Sequence, residues 1–206
     1  MEQLQLNEHN KTEYPPMHTC ELDVSATNLF KDCNNNCPCF YLLSEERKKQ
    51  IIKWLLTLNK NISKIKDVRL ILLGESMPNG RYFYDINTDY SSNGFRYELC
   101  TRLELKTDVE LFSFLQKKGI IVLDCAFCPL HLIKDKKVQR HSATHCFKRH
   151  AAKFIEKHPN VPIFTFFPAK RGLLKQELPT DISKRINEEA SFTNIQPIIE
   201  FIKNMK

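Results

Sequence analysis

Two rhythms of apolar residues run along the chain. Positions 51, 52, 55, 56 and 58 repeat at helical spacing and predict a helix over 44–60. Ser44 is its expected cap, Glu46 falls in the favourable first turn, and Ile51, Ile52, Leu55, Leu56 and Leu58 form the expected buried stripe. Residues 67–73 are almost continuously apolar through Val68, Leu70, Ile71, Leu72 and Leu73, which predicts a strand buried on both faces. The run stops at Gly74-Glu75-Ser76-Met77-Pro78-Asn79-Gly80, where Gly74 is expected to turn the chain and Pro78 to stiffen the turn. The polar and aromatic stretch 79–106 reads mostly as loop. A helix over 108–118, closed by Gly119, precedes a second buried strand over 119–127. A basic helix over 141–157, a third strand over 161–167 closed by Pro168, and a last helix over 195–203 complete the pattern.

Alternating helices and strands predict an α/β fold: a single three-layer α/β/α domain over 41–206 around a small, mostly parallel sheet. Residues 1–40 contain Pro15-Pro16 and Asn34-Asn35-Asn36 without apolar periodicity, and are expected to form an acidic, irregular extension. With 42% hydrophobic residues among 206, a packed core is within reach and a wholly disordered chain is excluded. Five glycines and no internal repeat exclude collagen and solenoids. No apolar run approaches the ~20 residues of a membrane helix. The polar N-terminus lacks the basic start and apolar stretch of a secretory leader, so a cytoplasmic monomer without membrane contact is expected.

Charge sharpens this picture. The net charge is +7, but residues 1–32 carry −4, so the remainder carries +11. Eleven Lys and Arg face only Asp135 and Glu156 within 131–175. Charge so concentrated suits a polyanion, nucleic acid first, with a merely solvated helix face as the alternative.

Eight cysteines are many for this length. In a reducing compartment they read as thiols rather than disulfides. No cofactor is expected. An iron–sulfur cluster or zinc on Cys33, Cys37, Cys39, Cys100, Cys125 and Cys128 is the alternative, since Cys125-x-x-Cys128 and the 33–39 trio have chelating spacings.

In parallel sheets ligands bind beyond the carboxyl ends of the strands, which here are the segments 74–80, 124–131 and 168–172. In the first, Glu75 stands on a turn followed by Tyr82-Phe83-Tyr84-Asp85. Rings stack on a flat heterocycle, and a carboxylate orients water or stabilises positive charge. A structural turn with core aromatics is the plainer alternative.

The stretch Leu70-Ile-Leu-Leu-Gly-Glu-Ser-Met-Pro-Asn-Gly-Arg-Tyr-Phe-Tyr84 resembles the first motif of the uracil-DNA glycosylase superfamily, in the form carried by divergent microbial members. Ile120-Ile-Val-Leu-Asp124 is similar to the family's second strand, whose end usually carries a base-reading Asn. The resemblance covers about residues 44–206. The family's closing His-Pro-Ser loop has no clear counterpart, because His158-Pro159-Asn160 precedes a strand instead of following one.

The resemblance implies a uracil-DNA glycosylase-like fold, DNA as partner, and hydrolysis of the N-glycosidic bond of a flipped nucleotide to leave an abasic site. The cation-like sugar calls for a carboxylate, with Glu75 first and Asp85 second. Phe83 or Tyr84 would stack on the base, and Ser76 would line its pocket. Asn79 stands where strict uracil enzymes place a bulky aromatic against C5 substituents. Asp124 replaces an amide, and an ionised carboxylate accepts where cytosine's exocyclic amine donates. A C5-modified cytosine is therefore favoured over uracil, and defence against phage with modified DNA is one setting for such an activity. For Asp124, a helix cap or an ion pair is the structural alternative.

Lys136, Lys137, Arg140, Arg149, Lys170 and Arg171 are the expected contacts to the DNA backbone. His141 and His145, four apart on one helix face, are the candidate electrophiles on the departing base, with a metal-binding pair or no role as the alternatives. The competing readings are a catalytically inactive nucleic-acid-binding protein on the same fold, and a metal- or thiol-dependent α/β enzyme.

Overall fold

A computed structural model describes residues 43–77, 82–85, 94–167, 178–191 and 193–205. The expected extension, Asn79, Lys170, Arg171, Cys33, Cys37 and Cys39 lie outside them.

Helix α1 (Glu45–Ile62) starts as its sequence predicts, with the Ser44 hydroxyl accepting the Arg47 N–H. Its buried side is Ile51, Trp54, Leu55, Leu58 and Ile62, whereas Leu56 is 51% exposed and does not belong to the stripe. Strand β1 follows as Leu70–Ser76. It ends later than its apolar run: Gly74, Glu75 and Ser76 continue the strand, and the Met77 N–H still donates to Ala126 at 2.9 Å. The turn expected at Gly74 is therefore not there.

Within the stretch read as loop, α2 occupies Phe95–Arg102 and buries Leu99 and Cys100. Helix α3 (Asp108–Lys118) is capped by the Thr107 hydroxyl and closed by Gly119 in the left-handed conformation (φ 72°), which favours glycine. Strand β2 is Ile120–Ala126. A single 3₁₀ turn at Leu130–Leu132 leads to α4 (Lys136–Cys146), which begins five residues before the expected helix because the Asp135 carboxylate caps Lys137 and Val138. The helix widens into a π turn over Phe147–Ala151 and ends as α5 (Ala152–Glu156). Strand β3 is only Ile163–Thr165. Helix α6 (Thr180–Arg185) and strand β4 (Ile186–Asn187) were not predicted; α7 is Gln196–Asn204.

The four described strands are all parallel, in the order β2-β1-β3-β4. The chain steps from β1 to β2 on one side and then crosses back to β3 on the other. That reversal puts the topological switch point between β1 and β3, at their carboxyl ends.

Register fixes which residues share a face. Val122, Leu72 and Phe164 align across β2, β1 and β3. Two residues further on, Asp124 aligns with Gly74. The Phe201 ring of α7 packs on Phe164 with centroids 5.0 Å apart, so α7 covers this face. Successive strand residues alternate, so Glu75 and Cys125 point to the other face. There the Phe127 N–H donates to Cys146 Sγ of α4 at 3.1 Å. Helices on both faces are compatible with a three-layer α/β/α arrangement.

Candidate functional site

Three strand ends meet in one row. Asp124 on β2, Gly74 on β1 and Phe166 just past β3 lie side by side on the α7 face. A methyl added to Gly74 would overlap Oδ1 of Asp124 and stand 3.3 Å from Cε2 of Phe166. The carboxylate therefore lies directly over the glycine, with the ring edge beside it. This is why the strand carries Gly here: any side chain would occupy the space the carboxylate uses. The glycine serves a close approach, not a turn.

Asp124 neither caps a helix nor pairs with a base. Among the described residues its carboxylate has no hydrogen bond and no ion pair, and the residue as a whole is half-buried. Burial alone lifts its pKa to about 7. Tyr82 and Tyr84 stand close enough to feel this charge; burial first, and Asp124 second or third, push both phenols up.

The segment 82–85 is fastened from all sides. Tyr84 Oη accepts the Val122 N–H at 2.9 Å and so caps the edge strand β2. Arg96 donates to the carbonyls of Phe83 (3.1 Å) and Asp85 (2.9 Å) and ion-pairs with Asp108 at 3.5 Å. The Trp54 indole donates to Asp85 Oδ2 at 3.2 Å and stacks on Tyr82, centroids 5.4 Å apart. Asp85 thus has a structural partner of its own. Phe83 packs against Tyr84, Phe95 and Phe112, turned into the core. The ring beside Gly74 is instead Phe166, which packs at a tilt on half-buried Phe95, centroids 4.1 Å apart.

Glu75 and Ser76, both half-buried, end β1. Glu75 has no partner among the described residues and points away from Asp124, toward the side of Cys125. The two carboxylates do not converge on one atom. Cys125 is inert as a thiol: burial first, then Asp124, Cys146 and Glu75, push its pKa up.

Helix α4 and its π turn carry the cations. Lys136, Lys137 and Arg140 are exposed, Arg149 is half-buried, and His141 is exposed beside half-buried His145, ring centroids 6.5 Å apart. His145 Nε2 is buried without a partner. His150 packs on Phe127 at 4.8 Å, and burial, with help from Arg149, His145 and Lys153, lowers its pKa to about 4.

No group of three potential metal ligands occurs among the described residues. Cys100, Cys125, Cys128 and Cys146 are buried free thiols. No helix among the described residues is long and apolar enough to cross a membrane.

The sequence singled out Glu75, Ser76 and Asp124, which end adjacent strands. It missed Phe166, Phe95 and the part played by Gly74. An alternation count carried through all three strand ends would have put Phe166 in the row of Asp124. His158 stays away from these ends, before β3, its carbonyl bound by Arg185 at 2.7 Å. Comparison with protein-family models, curated proteins and solved structures finds no match to this chain.

Proposed function

We propose that this protein is a DNA glycosylase on a three-layer, uracil-DNA glycosylase-like fold. It hydrolyses the N-glycosidic bond of a flipped pyrimidine, with C5-modified cytosine favoured over uracil, and leaves an abasic site. One observation carries this reading: a carboxylate with no partner among the described residues lies over a glycine and beside an aromatic ring, at the carboxyl end of a parallel sheet. A flat heterocycle needs a ring beside it and a polar reader of its edge, and the row offers Phe166 and Asp124.

In this reading Asp124 reads the base edge, and the tilted Phe95–Phe166 pair supplies the ring that sequence assigned to Phe83 or Tyr84. Glu75, on the opposite side of the same strand end, faces the sugar rather than the base and stabilises its cationic character. The exposed cations of α4 hold the phosphates, and no metal or cofactor takes part.

The test is incubation with oligonucleotides containing cytosine, uracil or 5-hydroxymethylcytosine, followed by alkaline cleavage of abasic sites. Breaks at the modified cytosine, lost in Glu75→Gln while DNA affinity is kept, are expected. Salt-sensitive DNA binding without breaks at any base would replace this reading by that of a binding protein on the same fold. Breaks at uracil alone would overturn the substrate.

A further inference from the structure

The carboxylate that ends β2 is unusual in what it lacks. Asp124 lies over Gly74 and beside the Phe166 ring, is half-buried as a residue, and has no donor from any described element around it. The groups facing it are Tyr82 and Tyr84 from the turn, whose phenols are themselves held protonated, with Glu75 on β1 and Cys125 on its own strand pointing to the other face. Arg96, on the neighbouring helix α2, is committed to Phe83, Asp85 and Asp108. No described cation therefore offsets the burial of the carboxylate.

A neutral acid has chemistry that a carboxylate lacks. Its hydroxyl donates while its carbonyl oxygen accepts. A 4-aminopyrimidine offers the complement, ring N3 as acceptor and the 4-amino group as donor. Cytosine-type bases are also poor leaving groups as anions, so a proton on N3 helps them depart.

We propose that Asp124 acts as a neutral acid, its hydroxyl bonded to N3 of a 4-aminopyrimidine and its carbonyl oxygen to the 4-amino group, and that its proton leaves with the base. This rests on the glycosylase reading above and makes Asp124 a catalytic residue as well as a reader. The electron pair of the breaking C1′–N1 bond goes to the base, whose N3 takes the Asp124 proton. Water adds its oxygen to C1′, and the proton it sheds restores the neutral acid. Atoms and charge balance with water as the only co-reactant. Burial lifts the pKa of Asp124 to about 7, which keeps the acid form populated at neutral pH.

The experiment uses the full chain in single-turnover excision from matched oligonucleotides carrying 5-hydroxymethylcytosine or 5-hydroxymethyluracil, between pH 6.0 and 8.5. For the 4-amino base the rate should fall about thirtyfold across this range, as one group near pH 7 ionises. Asp124→Asn has nearly the same shape and cannot give up a proton. It should lose the 4-amino base by at least about a hundredfold, shift the ratio of the two rates toward the 4-oxo base, and show no such pH limb. A flat profile for the 4-amino base, or its retention in Asp124→Asn, overturns the proposal while leaving the glycosylase reading intact. No excision of either base overturns both. A carboxyl-carbon NMR titration of Asp124 gives a readout independent of turnover, and a midpoint near 4 would refute the acid role by itself.

Discussion

Gly74→Ala tests the geometry on which the site rests. The new methyl would overlap Oδ1 of Asp124, with the carboxyl carbon at 3.5 Å and Cε2 of Phe166 at 3.3 Å. To reach ordinary contact the oxygen must retreat by roughly 1 Å. The backbone cannot give way, since β1 is paired on both sides, to β2 and to β3. Asp124 must therefore leave its rotamer or push against Phe166. Overpacking of this kind costs about 1–3 kcal/mol. Against it stands about 0.5–1 kcal/mol gained when Gly becomes Ala within a strand. The net loss is roughly 0.5–2 kcal/mol in the wild-type background. In Asp124→Ala the obstacle is gone, and the same substitution should be neutral or stabilising. Urea denaturation of the four proteins closes a double-mutant cycle, with an expected coupling of about 1–3 kcal/mol. Equal cost of Gly74→Ala in both backgrounds would refute the placement of the carboxylate over Gly74, and with it the site.

Four further outcomes follow from other contacts. Tyr84→Phe removes the acceptor of the Val122 N–H and should cost about 1–3 kcal/mol, read as a lower urea midpoint; no change would mean that water replaces the phenol. His150 is held neutral with a folded pKa of about 4, so stability present above about pH 6.5 is lost as pH falls toward 4; His150→Phe, which keeps the ring on Phe127, should flatten that acid limb by roughly 2–3 kcal/mol. Asp124 has the opposite sign: its folded pKa is raised, the native state binds the extra proton between about pH 4 and 7, and stability falls as pH rises through that window. Asp124→Asn should gain roughly 2–4 kcal/mol on the wild type between pH 4 and 8, and an unchanged difference would refute the burial. Replacing Lys136, Lys137 and Arg140 together by Gln should reduce the salt slope of DNA binding by about 2–3 without unfolding the chain; an unchanged slope would take α4 out of the interface.

What could be read from the chain was what local pattern decides. The apolar run before Gly74 announces a strand covered on both faces, and the Thr107 and Gly119 signals bracket α3 closely. What could not be read was decided by partners far away in sequence. Glu75 and Ser76 extend β1 because Ala126 offers a backbone partner, a fact absent from their own neighbourhood. Helix α2 buries only Leu99 and Cys100, too little to print a period on eight residues. The aromatic turn looked like a stacking platform from its composition. Its rings and carboxylate face inward because Trp54, Arg96 and Val122, up to 38 residues away, hold them there. Asp124 was legible as the residue ending a buried strand. Its companion Phe166 depended on the register between β1 and β3.

Several buried polar atoms in this fold lack partners, and their costs differ. Ser142 Oγ and Thr165 Oγ1 are hydroxyls, and His145 Nε2 belongs to a ring that can stay neutral. Each costs about 1–3 kcal/mol at most. A carboxylate left unpaired costs several times that, unless it takes up a proton. Groups nearby have partners: Asp85 has Trp54, the edge of β2 has Tyr84, and Asp108 faces Arg96 at 3.5 Å, although its Oδ1 makes no hydrogen bond. The Asp124 carboxylate has no partner among the described residues, and the glycine beneath it leaves the room it occupies. That unpaired carboxylate has an explanation when a ligand supplies the missing partner. A flat, hydrogen-bonding heterocycle seated against Asp124 is such a ligand, and it would stabilise the folded chain by the same contacts through which the protein recognises it.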